Sequence, residues 1–207
     1  MAEVDGRTRR AEQAREQRRQ QILDAALAVF AEHGYHGAAI SDVVKAAGVA
    51  RGTFYLYFDS KEAIFQELLT DLLSTLRTSV RGVDTSGGRS AEEQLQVIVA
   101  DILRTAERNQ ALTRIIFREA VGLDERVDSL LGNFYDELLG YIERALLLGA
   151  AVGLLRPVAE PAMVATCILG SLRGVVQRYL LNLEETVPID RIAQAVVDHH
   201  LRGLLTR

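Results

Sequence analysis

Apolar residues recur at three- and four-residue steps along almost all of this 207-residue chain. Such steps place side chains on one face of an α-helix, and no stretch sustains the two-residue alternation of a strand. Glycines and prolines interrupt the pattern, and the segment 82–89, GVDTSGGR, is the clearest loop. The sequence therefore predicts an all-α protein of about nine helices.

The composition is that of an ordinary soluble domain, with 48% hydrophobic and 25% charged residues. The most apolar run, 162–183, carries Arg173 and Arg178, which argues against a membrane span. No secretory signal is visible, and the single cysteine, Cys167, allows no internal disulfide and is expected to be a small core residue. We expect a cytoplasmic protein. Because no Cys/His cluster has metal-ligand spacing, we expect neither a metal nor a cofactor.

One short segment, AGVARGTFYLYF at residues 47–58, holds four aromatic residues in a chain that is only 6% aromatic. The surrounding pattern predicts two short helices, 41–47 and 51–57, joined by a tight turn that contains Gly48. Two such helices and their turn describe a helix-turn-helix.

The helical spacing divides the second helix into two faces. Phe54 and Phe58 lie four residues apart and are expected to fill the core. The remaining side chains are out of phase with them and are expected to point outward: Arg51, Gly52, Thr53, Tyr55, Leu56 and Tyr57. For the two tyrosines, a place in a crowded core is the alternative.

The outward face suits a DNA groove. A guanidinium at Arg51 can bind a guanine edge, hydroxyls can bind phosphates, and Leu56 can contact a thymine methyl. Gly52 would let the helix approach the duplex closely, and Lys61 would reach a phosphate from the start of the next helix.

The segment AAISDVVKAAGVARGTFYLYFDSKEAIFQELL, preceded by FAEHGYHGAAI, resembles the DNA-binding region of the TetR family of bacterial transcriptional regulators. The resemblance covers about residues 17–66. It implies a three-helix DNA-binding head and a larger, variable helical body that holds a small-molecule pocket and a dimerisation surface. The implied base-facing positions are Ser41, Arg51, Gly52, Tyr55 and Leu56, and the implied phosphate-facing positions are Thr53, Tyr57 and Lys61.

One departure from the family pattern concerns the start of the second helix. The family often has Thr or Ser just before it, where the side chain caps the helix and touches phosphate, but this chain has Ala38 and Ala39. Ser41 is the available substitute cap, and in that role it would be less free to read a base.

We expect three parts: a disordered arm at 1–11, a helix-turn-helix domain at 12–61, and a ligand-binding and dimerisation domain at 62–207. Residues 1–61 carry a net charge of +1 and the remainder carries −5. Residues 7–19 alone hold six arginines against two glutamates. Overall acidity argues against a nonspecific nucleic-acid coat, whereas this local basicity favours a small DNA-facing end.

The last two helices are expected to form a homodimer through residues 161–205. The first is apolar on more than one face and the second adds an apolar stripe, so two copies would make a four-helix bundle. A monomer that buries the first helix is the alternative. The residues of the two stripes are Val164, Ile168, Leu172, Val175, Val176 and Tyr179, then Ile192, Val196, His199 and Gly203; His199 and His200 are expected at the surface or the dimer edge.

Candidate ligand-binding residues lie on helices that should face the middle of the body: Phe117, Arg118, Phe134, Tyr141 and Arg173. The two phenylalanines have a plain core role as their alternative. The two arginines need an anion, either Glu119 or Glu137 or the carboxylate or phosphate of a ligand. Glycines at 122, 132, 140, 149 and 153 are expected to leave room between helices. The predicted partner is a small apolar ligand, and the more specific hypothesis is that this ligand carries an anionic group.

These features favour a repressor that binds double-stranded operator DNA and is released by a small-molecule ligand. A DNA-binding regulator that acts through a protein partner is the alternative. No nucleophile-base pair, phosphate loop or carboxylate dyad is recognisable, so an enzyme is not expected.

Overall fold

The computed structural model describes residues 2–80, 83, 84, 86, 88–118, 125–182 and 187–204. Within these ranges the chain forms nine helices and no strand, which confirms the all-α prediction. The helices are α1 (Ala2–Gly37), α2 (Ile40–Ala47), α3 (Arg51–Tyr55), α4 (Lys61–Ser79), α5 (Ala91–Arg108), α6 (Gln110–Arg118), α7 (Glu125–Ala151), α8 (Pro161–Val175) and α9 (Ile189–Leu204). A π-helical stretch, Val176–Leu181, continues α8.

In the part of the chain that the structure describes, no helix combines the length and apolar character that a bilayer crossing requires.

Helix α1 begins at Ala2, so it runs through the segment 1–11 for which the sequence predicted a disordered arm. Alanine, glutamate, glutamine and arginine dominate residues 9–21, and all of them favour a helix. Gly34 adopts a non-helical conformation, φ 72° and ψ 160°, and so kinks the helix where the sequence predicted its end.

Helix α2 begins at Ile40, with Ala39 at the N-cap position and no side-chain cap. Ser41 therefore lies inside the first turn and is exposed, and the expectation that it caps the helix is wrong. Asp42 supplies part of the missing cap, because its carboxylate accepts a hydrogen bond of 3.2 Å from the backbone N–H of Ala39. Gly48 ends α2 in the left-handed conformation, φ 62° and ψ 31°, as the sequence predicted.

The main apolar cluster joins the N-terminal helices α1–α4 to the body. It contains Phe30 of α1, Phe54 of α3 and Phe65 of α4, all at most 1% exposed, together with buried residues of α6 and α7. The members from α6 and α7 are Leu112, Ile115, Ile116, Val127, Leu131 and Phe134. Since α4 contributes Ile64 through Leu73 to the same cluster, one continuous core runs along this helix from head to body.

Two further clusters hold the rest of the body together. One packs α5 against α8, its π-helical continuation and α9, and a smaller one packs the end of α7 against α8. Val176, Ile192 and Val196 are buried in the first of these, whereas Val164 and Ile168 pack against the second.

The apolar stripes predicted for a dimer surface thus pack largely within the chain. Helical periodicity shows that one face of a helix is buried, but it does not show whether a neighbouring helix of the same chain or a partner chain buries it. The exposed face of α8 carries small residues, one long apolar side chain and one arginine: Met163, Thr166, Cys167, Gly170, Arg173 and Gly174. Cys167 is exposed, so its predicted core role is wrong; it lies on the opposite side of α8 from fully buried Ala165.

We predict opposite stability effects for two glycine substitutions. Gly48→Ala should lower the free energy of unfolding by about 1–2 kcal/mol, because a left-handed backbone is strained for any residue with a Cβ. Gly132→Ala should raise it by about 1 kcal/mol, because Gly132 lies inside α7 and an added methyl meets no atom within 4 Å. Urea titrations followed by circular dichroism compare them, and shifts of the same sign would contradict the prediction.

Candidate nucleic-acid interface

Helix α3 presents a compact exposed surface around a buried anchor. Phe54 and Phe58 are 0% and 4% exposed, whereas Tyr55 is 42% and Leu56 75% exposed. Arg51 and Gly52 are exposed as well, and the guanidinium carbon of Arg51 lies 5.9 Å from the centroid of the Tyr55 ring. The structure therefore brings Arg51, Gly52, Tyr55 and Leu56 together on one surface, which we call the α3 surface.

The remaining predicted contacts of the head are less free. Thr53 and Tyr57 are half-buried, and Tyr57 packs against the main cluster, so its ring takes part in the core while Tyr55 points outward. Because α3 ends at Tyr55, Leu56 and Tyr57 lie in the turn that follows it. Ser41 is exposed on the first turn of α2.

Lys61 is held by backbone carbonyls. Its Nζ donates to the carbonyl oxygens of Tyr35 at 2.9 Å, Ala38 at 3.2 Å and His36 at 3.3 Å, and lies 4.8 Å from the centroid of the Tyr35 ring. A lysine ammonium has three hydrogens to donate, so all of them are used. A phosphate could bind Lys61 only by displacing one of these carbonyls, and the predicted phosphate role of this residue finds no support in the geometry.

Two polar residues that the sequence reasoning missed tie α1 to the helix-turn-helix. Gln21 Nε2 donates 2.7 Å to the carbonyl oxygen of Ala47, the last residue of α2. Arg19 forms an ion pair with Glu67 of α4, and its guanidinium carbon lies 5.6 Å from the Phe58 ring centroid. Burial raises the pKa of Glu67 above its ordinary value, and Arg19 opposes this by favouring the charged form. In the sequence, Arg19 and Gln21 lie just before the core residue Ile22, and this position could have indicated that they contact neighbouring helices.

The predicted ligand residues do not form one site. Arg173 lies between two aromatic rings, its guanidinium carbon 5.2 Å from the centroid of Phe117 and 5.3 Å from that of Tyr135, a residue the prediction omitted. Phe134 is 4% exposed in the main cluster, which favours its core alternative. Tyr141 lies apart, under the guanidinium of Arg144 at 4.9 Å.

Some of the predicted ligand region falls outside the described residues. Arg118 is the last residue of α6, and its side chain is not among those described; Glu119 and Gly122 are also outside the described ranges. Glu137 is described and pairs with Arg77 of α4, with 2.8 Å between Arg77 Nε and Glu137 Oε2. It is therefore not the counter-ion of Arg173.

The predicted glycines differ in the room they leave: an added Cβ meets no atom within 4 Å at Gly132 or Gly153, whereas Gly140 and Gly149 are covered. A Cβ at Gly149 would lie 2.7 Å from Leu155 Cδ1, so that side chain already fills the space. Gly140 is covered by Arg144, and Gly153 has φ 75° in the turn after α7. Two clefts on the described surface, lined by α1 with α2 and by α5 with Asp190, include none of the predicted ligand residues.

The chain is similar to known bacterial regulators. Residues 22–68 match the family model of bacterial regulatory proteins, tetR family. An uncharacterized HTH-type transcriptional regulator, YdgC of Bacillus subtilis, is 29% identical over 79% of this chain and 82% of its own length. The HTH-type transcriptional repressor DhaR of a Mycobacterium species is 25% identical over 87% of this chain and 90% of its own length.

A solved structure supports the same assignment. The fatty acid degradation regulator FadR of Bacillus halodurans is 26% identical, covers 89% of this chain and 98% of its own, and superposes with a TM-score of 0.68. The matched segment 22–68 contains α2, α3 and the whole α3 surface. On this evidence the chain belongs to the TetR family of bacterial transcriptional regulators.

Proposed function

We propose that the protein is a homodimeric, cytoplasmic transcriptional repressor that binds operator DNA through the α3 surface and leaves it when a small molecule binds the body. The observation that carries the DNA-binding part is the contrast along α3 between Phe54, fully buried, and the exposed Arg51, Tyr55 and Leu56. A rigidly anchored helix with an exposed face of a cation, a hydroxyl and an apolar tip is suited to base and phosphate contacts in a major groove. The related DhaR, a named repressor, supports the direction of regulation.

Within this proposal the contacts have different roles. Arg51 and Tyr55, with Gly52 and Leu56, face base edges, and Ser41 approaches them from α2. Thr53 and Tyr57 remain the phosphate contacts. Lys61 is assigned instead to the stability of the head, because its three donors hold the end of α1.

We predict that Arg51→Ala and Tyr55→Ala each weaken binding to a selected operator duplex by about 1–3 kcal/mol while leaving thermal unfolding unchanged. The reason is that both side chains are exposed, so they support a partner rather than the core. Fluorescence anisotropy with a duplex selected from a random library measures the affinity. Arg156→Ala, which removes an exposed arginine from the segment between α7 and α8, is the charge-matched control. Unchanged affinity for Arg51→Ala would remove α3 as the recognition helix.

The dimer is proposed to form through the exposed faces of α8 and α9, within residues 161–205. Small residues on α8 would allow two copies of the helix to approach closely, and Met163 and Tyr179, 65% and 37% exposed, would add apolar contacts. His199 is exposed, while His200 is half-buried with its Nε2 2.6 Å from Ser171 Oγ. Burial and the neighbouring His199 lower the pKa of His200, so it is neutral at this edge near pH 7.

We predict that Gly174→Arg abolishes the dimer, whereas Gly132→Arg preserves it. Both glycines lie inside helices, and a Cβ at either meets no atom of its own chain within 4 Å. Only Gly174 lies on the proposed interface, so only there would an arginine clash with a second copy. Sedimentation velocity at micromolar concentration distinguishes the variants. A monomeric wild type would contradict the proposed dimer, and equal behaviour of the two variants would move it elsewhere.

The ligand is proposed to bind near Arg173 at the junction of α6, α7 and α8. Phe117 packs against both large clusters, so this junction adjoins apolar surface on two sides. Arg173 forms an ion pair with none of the described residues, which leaves its guanidinium free for a ligand carboxylate or phosphate. The Bacillus halodurans relative is named as a regulator of fatty acid degradation, which supports an apolar ligand with an anionic group.

The junction is connected to the head by packing. Phe117 and Phe134 lie in or against the main cluster, and Arg77 of α4 contacts Phe134 and pairs with Glu137. A ligand that shifts α6 or α7 would therefore disturb α4 and the spacing of the two α3 surfaces. A hundredfold loss of DNA affinity requires about 2.7 kcal/mol of coupling, and DNA must weaken the ligand by the same factor.

We predict that fatty acids or their acyl-CoA esters release the operator duplex, and that Arg173→Gln raises the concentration needed by about tenfold or more. Loss of a charge-assisted contact to the anion is the reason. Release is measured by anisotropy, with neutral lipophilic compounds as the comparison and Arg156→Gln as the control. Release by neutral compounds alone would contradict the anionic part. If no compound releases the DNA, regulation through a protein partner becomes the better proposal.

A further inference from the structure

We infer that the arginine-rich first half of α1 is a second DNA-binding element, which contacts backbone phosphates beside the site occupied by α3. This inference rests on the proposed function. Its surface, here called the α1 basic face, consists of Arg10, Arg15 and Arg18, none of which belongs to the helix-turn-helix.

The α1 basic face lies on a helix that extends beyond the packed head. Every residue from Thr8 to Arg18 is exposed, and the first fully buried side chain among those described from Thr8 onward is Ile22. Eleven helical residues span about 16 Å, enough to reach past the edge of a three-helix head. Intramolecular packing therefore gives no reason for the helix to continue this far.

Two contacts place this extension beside α3. Gln21 binds the carbonyl of Ala47, four residues before α3 begins, and Arg19 stacks on Phe58, three residues after α3 ends. Helix α1 thus passes along both ends of the recognition helix, and the residues before Gln17 leave the head from the same side.

Helical spacing then sets the direction of each arginine. Arg10 lies seven and eleven residues before Gln17 and Gln21, on the edge that contacts α2. Arg15 and Arg18 lie seven and four residues before Ile22, on the side that continues into the core beneath α3.

The acidic residues of this segment point elsewhere. Burial chiefly raises the pKa of Glu67, and the negative charges of Asp71 and Glu16 add to the effect, which places Glu16 on the α4 side of α1. Glu12 lies one turn before Glu16 and shares its face. Glu12 and Glu16 therefore lie towards α4, together with Arg9 and with Arg19, which pairs with Glu67, whereas Arg10 and Arg18 lie on other sides of the helix.

The arginines have few partners within the chain. Arg18 Nη1 donates 2.9 Å to Gln21 Oε1, and neither Arg10 nor Arg15 pairs with any described residue. Arg15 and Arg18, three residues apart on the helix, repel each other in the free protein, and a row of phosphates would relieve that repulsion. DNA is the partner that fits, since the α3 surface would already hold a duplex alongside.

The test compares two double variants that remove the same charge. Arg10→Gln/Arg15→Gln alters the α1 basic face, and Arg89→Gln/Arg156→Gln alters exposed arginines of the body. Each full-length protein is titrated by anisotropy at salt concentrations from 50 to 300 mM. The first duplex is a selected one of 40 base pairs. The second is trimmed to the base pairs whose protection in a footprinting experiment depends on Arg51 and Tyr55. Circular dichroism checks that helix content is unchanged.

On the long duplex, the slope of log affinity against log salt should become shallower by about 2 per protomer for Arg10→Gln/Arg15→Gln, since each lost phosphate contact accounts for about 0.9. On the trimmed duplex the variant should equal wild type, and the body variant should equal wild type on both. An unchanged slope, or an equal change in the body variant, overturns the inference while leaving the repressor intact. A wild type that binds no selected duplex overturns the proposed function as well.

Discussion

Burial of the head's aromatic residues in the same apolar cluster as α6 and α7 is the constraint on which the other features depend. Phe54 fixes the rotation of α3 from beneath, and Phe65, on α4, is as deeply buried. Burial of one such side chain contributes about 1.5–3 kcal/mol to the stability of the fold. A rotation of α3 that hid its exposed face would expose several buried side chains and lose that contribution for each of them. Because packed cores move between discrete arrangements rather than deforming smoothly, a displacement in the body can be passed to the head.

Polar contacts along α4 define how that shared core is oriented. Lys61 at its first turn holds the end of α1, Glu67 in its middle pairs with Arg19, and Arg77 in its last turn pairs with Glu137 of α7. The exposed members of these pairs contribute little to stability individually. Their importance is geometric, because they attach α4 to the head near its first turn and its middle, and to the body in its last turn.

The DNA-binding head could be predicted closely from the sequence, whereas the body could not. In the head, turn glycines and the four-residue spacing of Phe54 and Phe58 are local signals, and the structure reproduces them. In the body, the stripes on α8 and α9 were assigned to a partner, but Ile192 and Val196 are buried within the chain. Gly149, expected to leave room, faces Leu155, which is only six residues away but reaches it through a turn that no periodicity reveals.

The sequence by itself determined the helices, the helix-turn-helix and the residues of the α3 surface, because periodicity, capping and turn chemistry act over a few residues. Only the tertiary structure decided that Lys61 is occupied by carbonyls, that Arg173 meets Phe117 and Tyr135, and that Arg77 rather than an arginine of α6 or α8 pairs with Glu137. These contacts join residues 23 to 60 positions apart. The packing of whole helices decides which distant side chain pairs with a charged group or covers an apolar face. That packing is a property of the assembled fold.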